Sequence, residues 1–381
     1  MKKYDVIIVG AGASGLVAAA QLVQRKKNVL IIDMGNSPAR KVAISGGGKC
    51  NFTNLAADFN HYFGKNPRFV CSALARWTPN NTLNWVRAHK IAVYEKEPGR
   101  YFCKNGSEDI INALLRDIGN PDIKYNTSVK NIEKNDDKFF VQTTKGDFWA
   151  KSIIIATGGL SYPHLGVSNI GHQIAKKFGH KIEPVRPALC AIKTKSLSSE
   201  LSGISLQAEI TINKKKIKDD LLFTHFGIGG PVAYRATLYG GSEMTINFAP
   251  DKNVLELLKS VKKENGKRTV ANILSEILPN RLARFLCDDT RHIADLRDNE
   301  LKQIATKVNS FVIDDASAIG MQSAEVTFGG VSTEQISSKT MESKLCNGLY
   351  FTGEVIDITG DLGGYNLQWA FSSGFVAGLN A

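Results

Sequence analysis

The chain has 381 residues, which is more than one hydrophobic core usually holds, because cores stop growing at about 250–300 residues. Its 43% hydrophobic and 22% charged residues are typical of a folded protein and exclude bulk disorder. The net charge of +12 favours a polyanionic partner such as RNA, although dispersed lysines give many ordinary enzymes a similar charge. No apolar run approaches the roughly 20 residues of a membrane span. The first residues lack the pattern of a signal peptide, so we expect a cytoplasmic protein with no membrane anchor.

The predicted elements begin with a strand, a helix and a second strand, and they end with a strand followed by a helix. Between these ends, residues 190–250 show the alternation of strands, and residues 251–310 show the periodicity of helices. The remaining predicted elements, in chain order, are helical residues 67–89 interrupted at Thr78-Pro79, a helix at 107–116, strands at 129–133, 139–143 and 147–150, and a buried strand at 153–156. We expect the three short strands to form a meander lying across the sheet that the buried strands build.

Three glycines follow the first strand, which we predict at residues 4–9. Gly10, Gly12 and Gly15 have the spacing G-x-G-x-x-G. In such a motif the glycines permit a tight turn, the close approach of a pyrophosphate and the close packing of helix on strand. Asp33 ends the second strand, where an acidic side chain can hold ribose hydroxyls. The sequence therefore predicts a dinucleotide at the N-terminus of the first helix, whose free N–H groups favour a phosphate.

Segments far downstream favour FAD over NAD. A-T-G-G at 156–159 ends a buried strand, F-T-G-E at 351–354 ends another, and G-G-Y-N at 363–366 opens the last helix. A cofactor as long as FAD needs contacts from such distant segments. Glu354 or Asp361 could bind its ribityl chain, and a helix N-terminus supplies the positive potential that a flavin needs on reduction.

Several of these segments resemble one known family. The segments are S-G-G-G-K-C-N-F-T-N at 45–54, G-L-S-Y-P at 159–163, V-T-F-G-G-V at 326–331, G-E-V-I-D at 353–357 and G-G-Y-N-L-Q-W-A at 363–370. They are similar to those of the YhiN/BaiN-like NAD(P)/FAD-dependent oxidoreductases, and the resemblance extends from Val6 to Gly378. The chain departs from the family at Lys49, where arginine is usual, at Cys103, where proline is usual, and at 167–171, where V-S-N-I-G replaces S-T-G-D-G.

The resemblance implies an α/β fold with a split Rossmann-type FAD-binding domain. The expected domains are the FAD-binding domain at 1–187 and 322–381, an inserted β-barrel-like domain at 188–250 and a small helical domain at 251–321. The expected FAD-binding residues are Gly10, Gly12, Ala13, Ser14, Gly15, Asp33, Lys41, Gly46, Gly47, Gly48, Lys49, Cys50, Thr53, Val129, Ala156, Thr157, Gly158, Gly353, Glu354, Gly363, Gly364, Tyr365 and Asn366.

The resemblance also implies reduction of an activated C=C bond. The family has been linked to uridine in large-subunit ribosomal RNA, which gives dihydrouridine, and to steroid-like enones of bile acids. The motif G-x-G-x-x-G occurs once, so we expect NAD(P)H to bind only transiently, at the flavin face. The sequence makes no prediction of the oligomeric state.

Candidate proton donors are few. Cys50, in the glycine-rich segment, is the first, because a thiol can act as an acid, although a free cysteine is as often a small buried hydrophobic residue. His164 is the second and Tyr365 the third, with Tyr365 favoured as a neighbour of the flavin. The six cysteines form no C-x-x-C pair and no metal cluster stands out, so we expect neither a metal site nor a dithiol motif.

Two other functions remain open on the sequence. An amine or hydroxy-acid oxidase would share the Rossmann opening and would consume oxygen without NADPH. A flavoprotein without catalytic activity could bind RNA through basic clusters, several of which lie in the predicted helical insertion. The clusters are Lys214-Lys215-Lys216, Lys262-Lys263, Lys267-Arg268 and Arg281 with Arg284. A solvated charged surface would show the same pattern, because acidic residues are interleaved.

Overall fold

The predicted strand–glycine–helix opening is present in the computed structural model, which describes residues 2–381. The elements up to residue 188 are β1 (Lys3–Val9), α1 (Ala13–Gln24), β2 (Val29–Ile32), α2 (Arg40–Ile44), β3 (Asn51–Asn54), β4 (Tyr62–Phe63), α3 (Cys71–Arg76), α4 (Pro79–Ala88), β5 (Val93–Glu97), β6 (Arg100–Cys103), α5 (Glu108–Ile118), β7 (Asp122–Lys124), β8 (Val129–Asn135), β9 (Lys138–Thr143), β10 (Gly146–Ile155), α6 (Ile170–Lys177) and β11 (Ile182–Ala188).

The next elements form the inserted part of the chain. They are β12 (Ile192–Lys193), β13 (Ser205–Ile212), β14 (Lys215–Thr224), β15 (Gly227–Gly229), α7 (Gly230–Tyr239), β16 (Met244–Asn247), α8 (Val254–Glu264), α9 (Val270–Leu274), α10 (Asn280–Leu286), α11 (Asp298–Asn309), β17 (Phe311–Ile313) and β18 (Ser317–Ala318). The chain then ends with β19 (Val326–Val331), β20 (Leu349–Phe351), β21 (Thr359–Gly360) and α12 (Tyr365–Asn380).

The main sheet has the parallel strands of a Rossmann fold at its centre. Its order is β7-β2-β1-β10-β9-β8, with β20 also paired to β10. The pairs β7–β2, β2–β1, β1–β10 and β10–β20 are parallel. All four residues of β2 are buried, as are Ile7 and Ile8 of β1, because a parallel sheet in an α/β fold is covered on both faces. The predicted α/β fold is therefore confirmed.

Two details of the sheet differ from the sequence prediction. The strands predicted at 147–150 and 153–156 are one strand, β10, whose first half pairs with β9 and whose last residues pair with β20. The meander does not lie across the sheet, because β9 and β8 extend it by antiparallel pairing. The first half of β10 alternates between buried and more exposed residues, and its end is continuously buried. The sequence therefore suggested two strands, although the backbone forms one.

The first and last helices of the chain pack closely on each other. A Cβ atom at Gly374 of α12 would clash with the Ser14 backbone of α1, and one at Gly378 would clash with Ala18. Residues without side chains at these positions let two helix backbones approach. This packing brings the C-terminal helix to the glycine turn at the start of α1, which positions both segments for one site.

The chain divides into two compact units, Met1–Arg186 with Val326–Ala381 and Pro187–Glu325. In the second unit, β12–β18 form one sheet of order β17-β16-β13-β14-β15-β12-β18, in which every pairing is antiparallel. Residues of this sheet and of the helices α8–α11 share one hydrophobic core. The division of this region into separate domains at 188–250 and 251–321 stays a prediction. Among residues 2–381, no helix is both long and apolar enough to cross a membrane.

Candidate dinucleotide-binding and active site

The three glycines of the first motif have three different environments. Gly10 has φ +112°, and a Cβ atom there would clash with the Ala156 carbonyl group. A Cβ atom at Gly15 would clash with the Gly10 carbonyl oxygen, so this glycine lets α1 pack on β1. A Cβ atom at Gly12 would meet nothing within 4 Å. Gly12 therefore faces open space at the N-terminus of α1, where N–H groups of the first turn have no partner within the helix.

Asp33 organises the end of β2. Its Oδ2 accepts the Ala11 N–H at 2.7 Å, and its Oδ1 accepts the Gly35 N–H and an N–H of Arg40 at 2.7 Å each. Arg40 also donates to the carbonyl oxygen of Leu165. Arg40 was not predicted as a site residue, because a basic residue seven positions after an acidic one indicates no contact until the fold is known.

A cleft that opens to solvent lies beside this turn, with about 430 Å³ of empty space when its open side is included. Its lining residues are Val9, Gly10, Ile32, Asp33, Met34, Arg40, Thr127, Ser128, Val129, Thr157, Gly166, Val167, Ser168 and Ile170. Four of the expected FAD-binding residues, Gly10, Asp33, Val129 and Thr157, are brought together here. The buried Oγ1 of Thr157 has no hydrogen-bond partner among the described residues. A cleft beside the glycine turn, with the Asp33 carboxylate and an unsatisfied hydroxyl in its lining, fits the adenosine and pyrophosphate of a dinucleotide.

An ion pair joins two of the expected residues that lie 313 positions apart. Lys41 Nζ donates to Glu354 Oε2 at 2.7 Å and to Ser161 Oγ at 2.7 Å. The Thr327 N–H donates to Glu354 Oε1 at 2.7 Å. Burial alone would raise the pKa of Glu354, but the Lys41 charge and these hydrogen bonds hold that pKa below its usual range. Glu354 therefore carries a negative charge that Lys41 neutralises.

The glycine-rich segment at 45–48 is a turn rather than a regular helix. Gly46, Gly47 and Gly48 have φ angles of +57°, +65° and +81°. Cβ atoms at Gly47 and Gly48 would meet nothing within 4 Å. The backbone at Gly47 and Gly48 is therefore accessible to a ligand. The side chain of Lys49 is exposed, and its Nζ donates to the Lys104 carbonyl oxygen at 3.0 Å.

The turn before α12 is fastened to β3. Thr53 Oγ1 donates to Gln368 Oε1 at 2.6 Å, and Asn54 Nδ2 donates to the Gly363 carbonyl oxygen at 3.1 Å. Gly364 has φ +95°, and a Cβ atom there would lie 2.6 Å from the Thr53 backbone. Only glycine fits this position. The Asn366 side chain bonds both backbone groups of Gly360, at 2.8 and 2.9 Å.

Other expected residues support these turns from within the core. Ala13, Ser14 and Ala156 are buried beside the first glycine turn, and Gly158 has φ +72° in open space. Gly353, with φ +74°, packs against Ser14 and donates its N–H to Ser373 Oγ at 3.0 Å.

The three candidate proton donors have different surroundings. Tyr365 is 6% exposed and stacks on His61, with ring centroids 4.6 Å apart. The side chain of His164 is exposed, and its ring lies edge-on to Tyr162. Cys50 is fully buried beside Cys103, and the hydrogen bond between the two thiols, together with burial, raises the pKa of Cys103. The role of Cys50 as a proton donor stays a prediction, and its complete burial argues against that role.

The expected residues therefore fit FAD in two ways. Some line the cleft or expose backbone that a cofactor could contact, and others are buried and hold the glycine turns in place. Residues that sequence reasoning missed include Arg40, His61, Ser161 and Gln368, each of which is joined to the site by a contact between distant segments. Within residues 2–381, no group of three or more His, Cys, Asp or Glu side chains is arranged to hold a metal ion.

Comparison with known proteins gives a consistent picture. The model of the HI0933-like protein Rossmann domain family matches residues 4–380. A ribosomal RNA dihydrouridine synthase from Haemophilus influenzae is 39% identical, over 100% of this chain and 99% of the relative. A 3-dehydro-bile acid delta(4,6)-reductase from Clostridium scindens is 29% identical, over 98% of each chain.

A solved structure supports the fold. The 3-ketosteroid-delta4-(5alpha)-dehydrogenase from Rhodococcus jostii RHA1 aligns with a TM-score of 0.50 at 13% identity, over 100% of this chain and 96% of that one. Because the family model covers nearly the whole sequence, the chain belongs to the HI0933-like Rossmann family of flavoprotein oxidoreductases.

Proposed function

We propose that this protein binds FAD and reduces an activated C=C bond, and that its substrate is uridine in large-subunit ribosomal RNA. The observation that carries the proposal is the full-length identity of 39% to a ribosomal RNA dihydrouridine synthase. The net charge of +12 supports an RNA substrate, because phosphate neutralisation releases counterions. Such a substrate also supports an enzyme of the cytoplasm.

The chain's own residues would hold the cofactor in four places. The N-terminus of α1 and the open face of Gly12 would receive the pyrophosphate, and Asp33 would bind ribose hydroxyls. Gly47 and Gly48 would offer backbone N–H groups, and the N-terminus of α12 would place positive potential beside the ring system. When bound, FAD supplies hydride chemistry, with NAD(P)H as the transient electron donor.

The first experiment uses the host of this protein. The gene is deleted, and dihydrouridine in purified large-subunit ribosomal RNA is quantified by mass spectrometry. Loss of one dihydrouridine, restored by the wild-type gene, is the expected result. Unchanged ribosomal RNA in a host that expresses the flavin-loaded protein would refute the RNA substrate.

Two variants of one position make the cofactor part of the experiment specific. Gly12→Glu places a negative charge where the pyrophosphate would lie, whereas Gly12→Gln adds a side chain of similar size without charge. We expect Gly12→Glu to lose FAD and to fail to restore dihydrouridine. Gly12→Gln should keep more FAD than Gly12→Glu. If both variants lose FAD equally, the size of the added side chain and not its charge explains the loss.

A second candidate substrate is a small enone, which the 29% identity to a bile-acid reductase favours. Purified protein would then oxidise NAD(P)H in the presence of a steroid enone and leave ribosomal RNA unmodified. An oxidase would instead consume oxygen with an amine or hydroxy acid and need no NAD(P)H, so an oxygen electrode separates the two.

A further inference from the structure

Arg100 lies where two glycine-rich turns meet one face of a small sheet. The sheet has the order β3-β6-β5, and residues 100 and 102 of β6 point to the same face because side chains alternate along a strand. A Cβ atom at Gly363 would lie 3.0 Å from Arg100 Nε. A Cβ atom at Gly46 would lie 3.2 Å from the Phe102 ring. This face of β6 therefore adjoins both turns that we assign to the flavin end of the site.

The guanidinium of Arg100 has unused donors. Its Nη1 donates to Glu97 Oε2 at 2.5 Å, and its Nε is buried without a hydrogen-bond partner among the described residues. The Glu97 side chain is 51% exposed, so this ion pair contributes little to stability. The N–H groups on Nε and Nη2 lie on one edge of the guanidinium and can form bidentate hydrogen bonds to one oxygen or to a pair of oxygens. A buried N–H without an acceptor is unfavourable, and a ligand oxygen would remove that cost.

The reduction of uridine needs such a donor. Hydride adds to C6 with its electron pair, the C5=C6 pair shifts toward C4, and the C4 carbonyl oxygen gains negative charge. A proton supplied by solvent water then forms the C5–H bond and the C4 carbonyl is restored, so that the substrate gains one hydride and one proton in total, with a reduced nicotinamide as the source of both electrons. A donor aimed at the oxygen where charge develops stabilises the transition state more than the ground state.

We propose that Arg100 is a catalytic residue that binds the carbonyl oxygen of an α,β-unsaturated carbonyl substrate and stabilises the enolate formed on it. The inference rests on the proposed function, and it deepens that function by naming the group that polarises the substrate. Uridine and a steroid enone share this conjugated carbonyl, so one arginine would serve both kinds of substrate.

The test compares Arg100→Met and Arg100→Lys with the wild type. The FAD-loaded proteins reduce a ribosomal RNA fragment that contains the target uridine, and kcat and KM are measured separately. We expect Arg100→Met to lower kcat by about 10²–10³-fold, with KM changed by less than about threefold. Arg100→Lys should restore part of kcat, because it returns the charge without the planar fork. Arg116→Met, which removes an equal charge from an exposed position on α5, is the matched control and should change neither constant.

A binding measurement that needs no turnover accompanies the kinetics. 4-Nitrophenolate carries an anionic oxygen on a conjugated ring and mimics the enolate, and its affinity is read from its absorbance. We expect Arg100→Met to bind it at least about tenfold more weakly than the wild type. Melting temperatures and FAD content of each variant show that the proteins are folded and loaded; if Arg100→Met fails to fold, Arg100→Lys decides the result.

The possible outcomes are distinct. A kcat in Arg100→Met within about threefold of the wild type, with unchanged 4-nitrophenolate affinity, would overturn the inference and leave the proposed function intact. An effect confined to KM for RNA would make Arg100 a phosphate contact, which also overturns it. If the wild type forms no dihydrouridine, the proposed RNA substrate fails and the same variants are measured with 2-cyclohexenone. Loss of kcat with 2-cyclohexenone in Arg100→Met would support the catalytic role of Arg100. A wild-type protein without activity on either substrate would refute both the proposed function and this inference.

Discussion

At the scale of single residues, the ion pair of Lys41 and Glu354 makes stability depend on pH. Their side chains are 31% and 19% exposed. Because the folded pKa of Glu354 lies below its ordinary value of 4.5, the stabilisation is complete above that value and is lost as the pH falls through the folded pKa.

We expect Glu354→Gln to lower the free energy of unfolding by about 1–3 kcal/mol at pH 7, since Lys41 then lacks its charged partner. The difference from the wild type should shrink as the pH falls below 4.5, and urea unfolding of both proteins across this range measures it. A difference that stays constant with pH would show that the charge of Glu354 does not cause it.

Cys50 provides a second test at this scale. Its side chain is fully buried beside Cys103, which favours a packing role over proton transfer. We expect Cys50→Ala to keep the rate of dihydrouridine formation within about threefold and to lower stability by about 1 kcal/mol through a small cavity. A rate loss of about 10²-fold or more, at normal FAD content, would restore Cys50 as the proton donor.

At the scale of elements, the site depends on how closely the turn before α12 approaches β3. Gly364→Ala places a Cβ atom 2.6 Å from the Thr53 backbone, whereas Gly203→Ala in the inserted unit places one in open space. The φ angles of the two residues are similar, +95° and +85°, so both variants carry a similar backbone cost of about 1–2 kcal/mol for alanine. Gly203→Ala is therefore the matched control for the steric effect.

We expect Gly364→Ala to lower the melting temperature and FAD retention clearly more than Gly203→Ala does, because the clash displaces the start of α12. Thermal unfolding and the flavin absorbance of purified proteins measure both effects. Equal changes in the two variants would mean that backbone strain alone explains them.

At the scale of the whole molecule, the positive charge is distributed unevenly. Residues 187–325 contain 19 Lys and Arg against 17 Asp and Glu, so ten of the twelve net charges belong to the other unit. Several basic residues of the inserted unit have partners there. Lys262 bonds the Leu296 carbonyl oxygen, Arg268 pairs with Glu276, and Arg281 bonds the Glu200 carbonyl oxygen. Several of the basic clusters that the sequence offers as RNA contacts lie in the helical insertion, whereas this distribution of charge favours the FAD-binding unit.

We therefore expect the triple change of Arg87, Lys90 and Lys104 to Gln, all exposed residues near β5 and β6, to weaken RNA binding. The slope of log affinity against log salt concentration should fall by up to about 2–3, since each lost phosphate contact removes about 0.7–0.9. The matched control changes Lys259, Lys263 and Lys267 of the inserted unit to Gln and should leave the slope unchanged. Fluorescence anisotropy with a ribosomal RNA fragment measures both, and a larger effect in the control would return RNA binding to the insertion.

The amino-acid sequence by itself determined the opening strand, the glycine turn, the first helix and Asp33, because these depend on local backbone conformation and short spacing. The distant glycine turns at 46–48 and 363–364 were also visible, since only glycine readily adopts their positive φ angles. The continuity of β10 was not visible, because an alternating half and an apolar half look like two strands.

Only the tertiary structure decided which distant residues meet. Lys41 and Glu354 are 313 positions apart, and Thr53 and Gln368 are 315 positions apart. Arg100 meets Gly363 only because β6 and the turn before α12 pack together. Such pairings depend on how the strands are ordered and how the helices pack, and no local pattern of residues records that order.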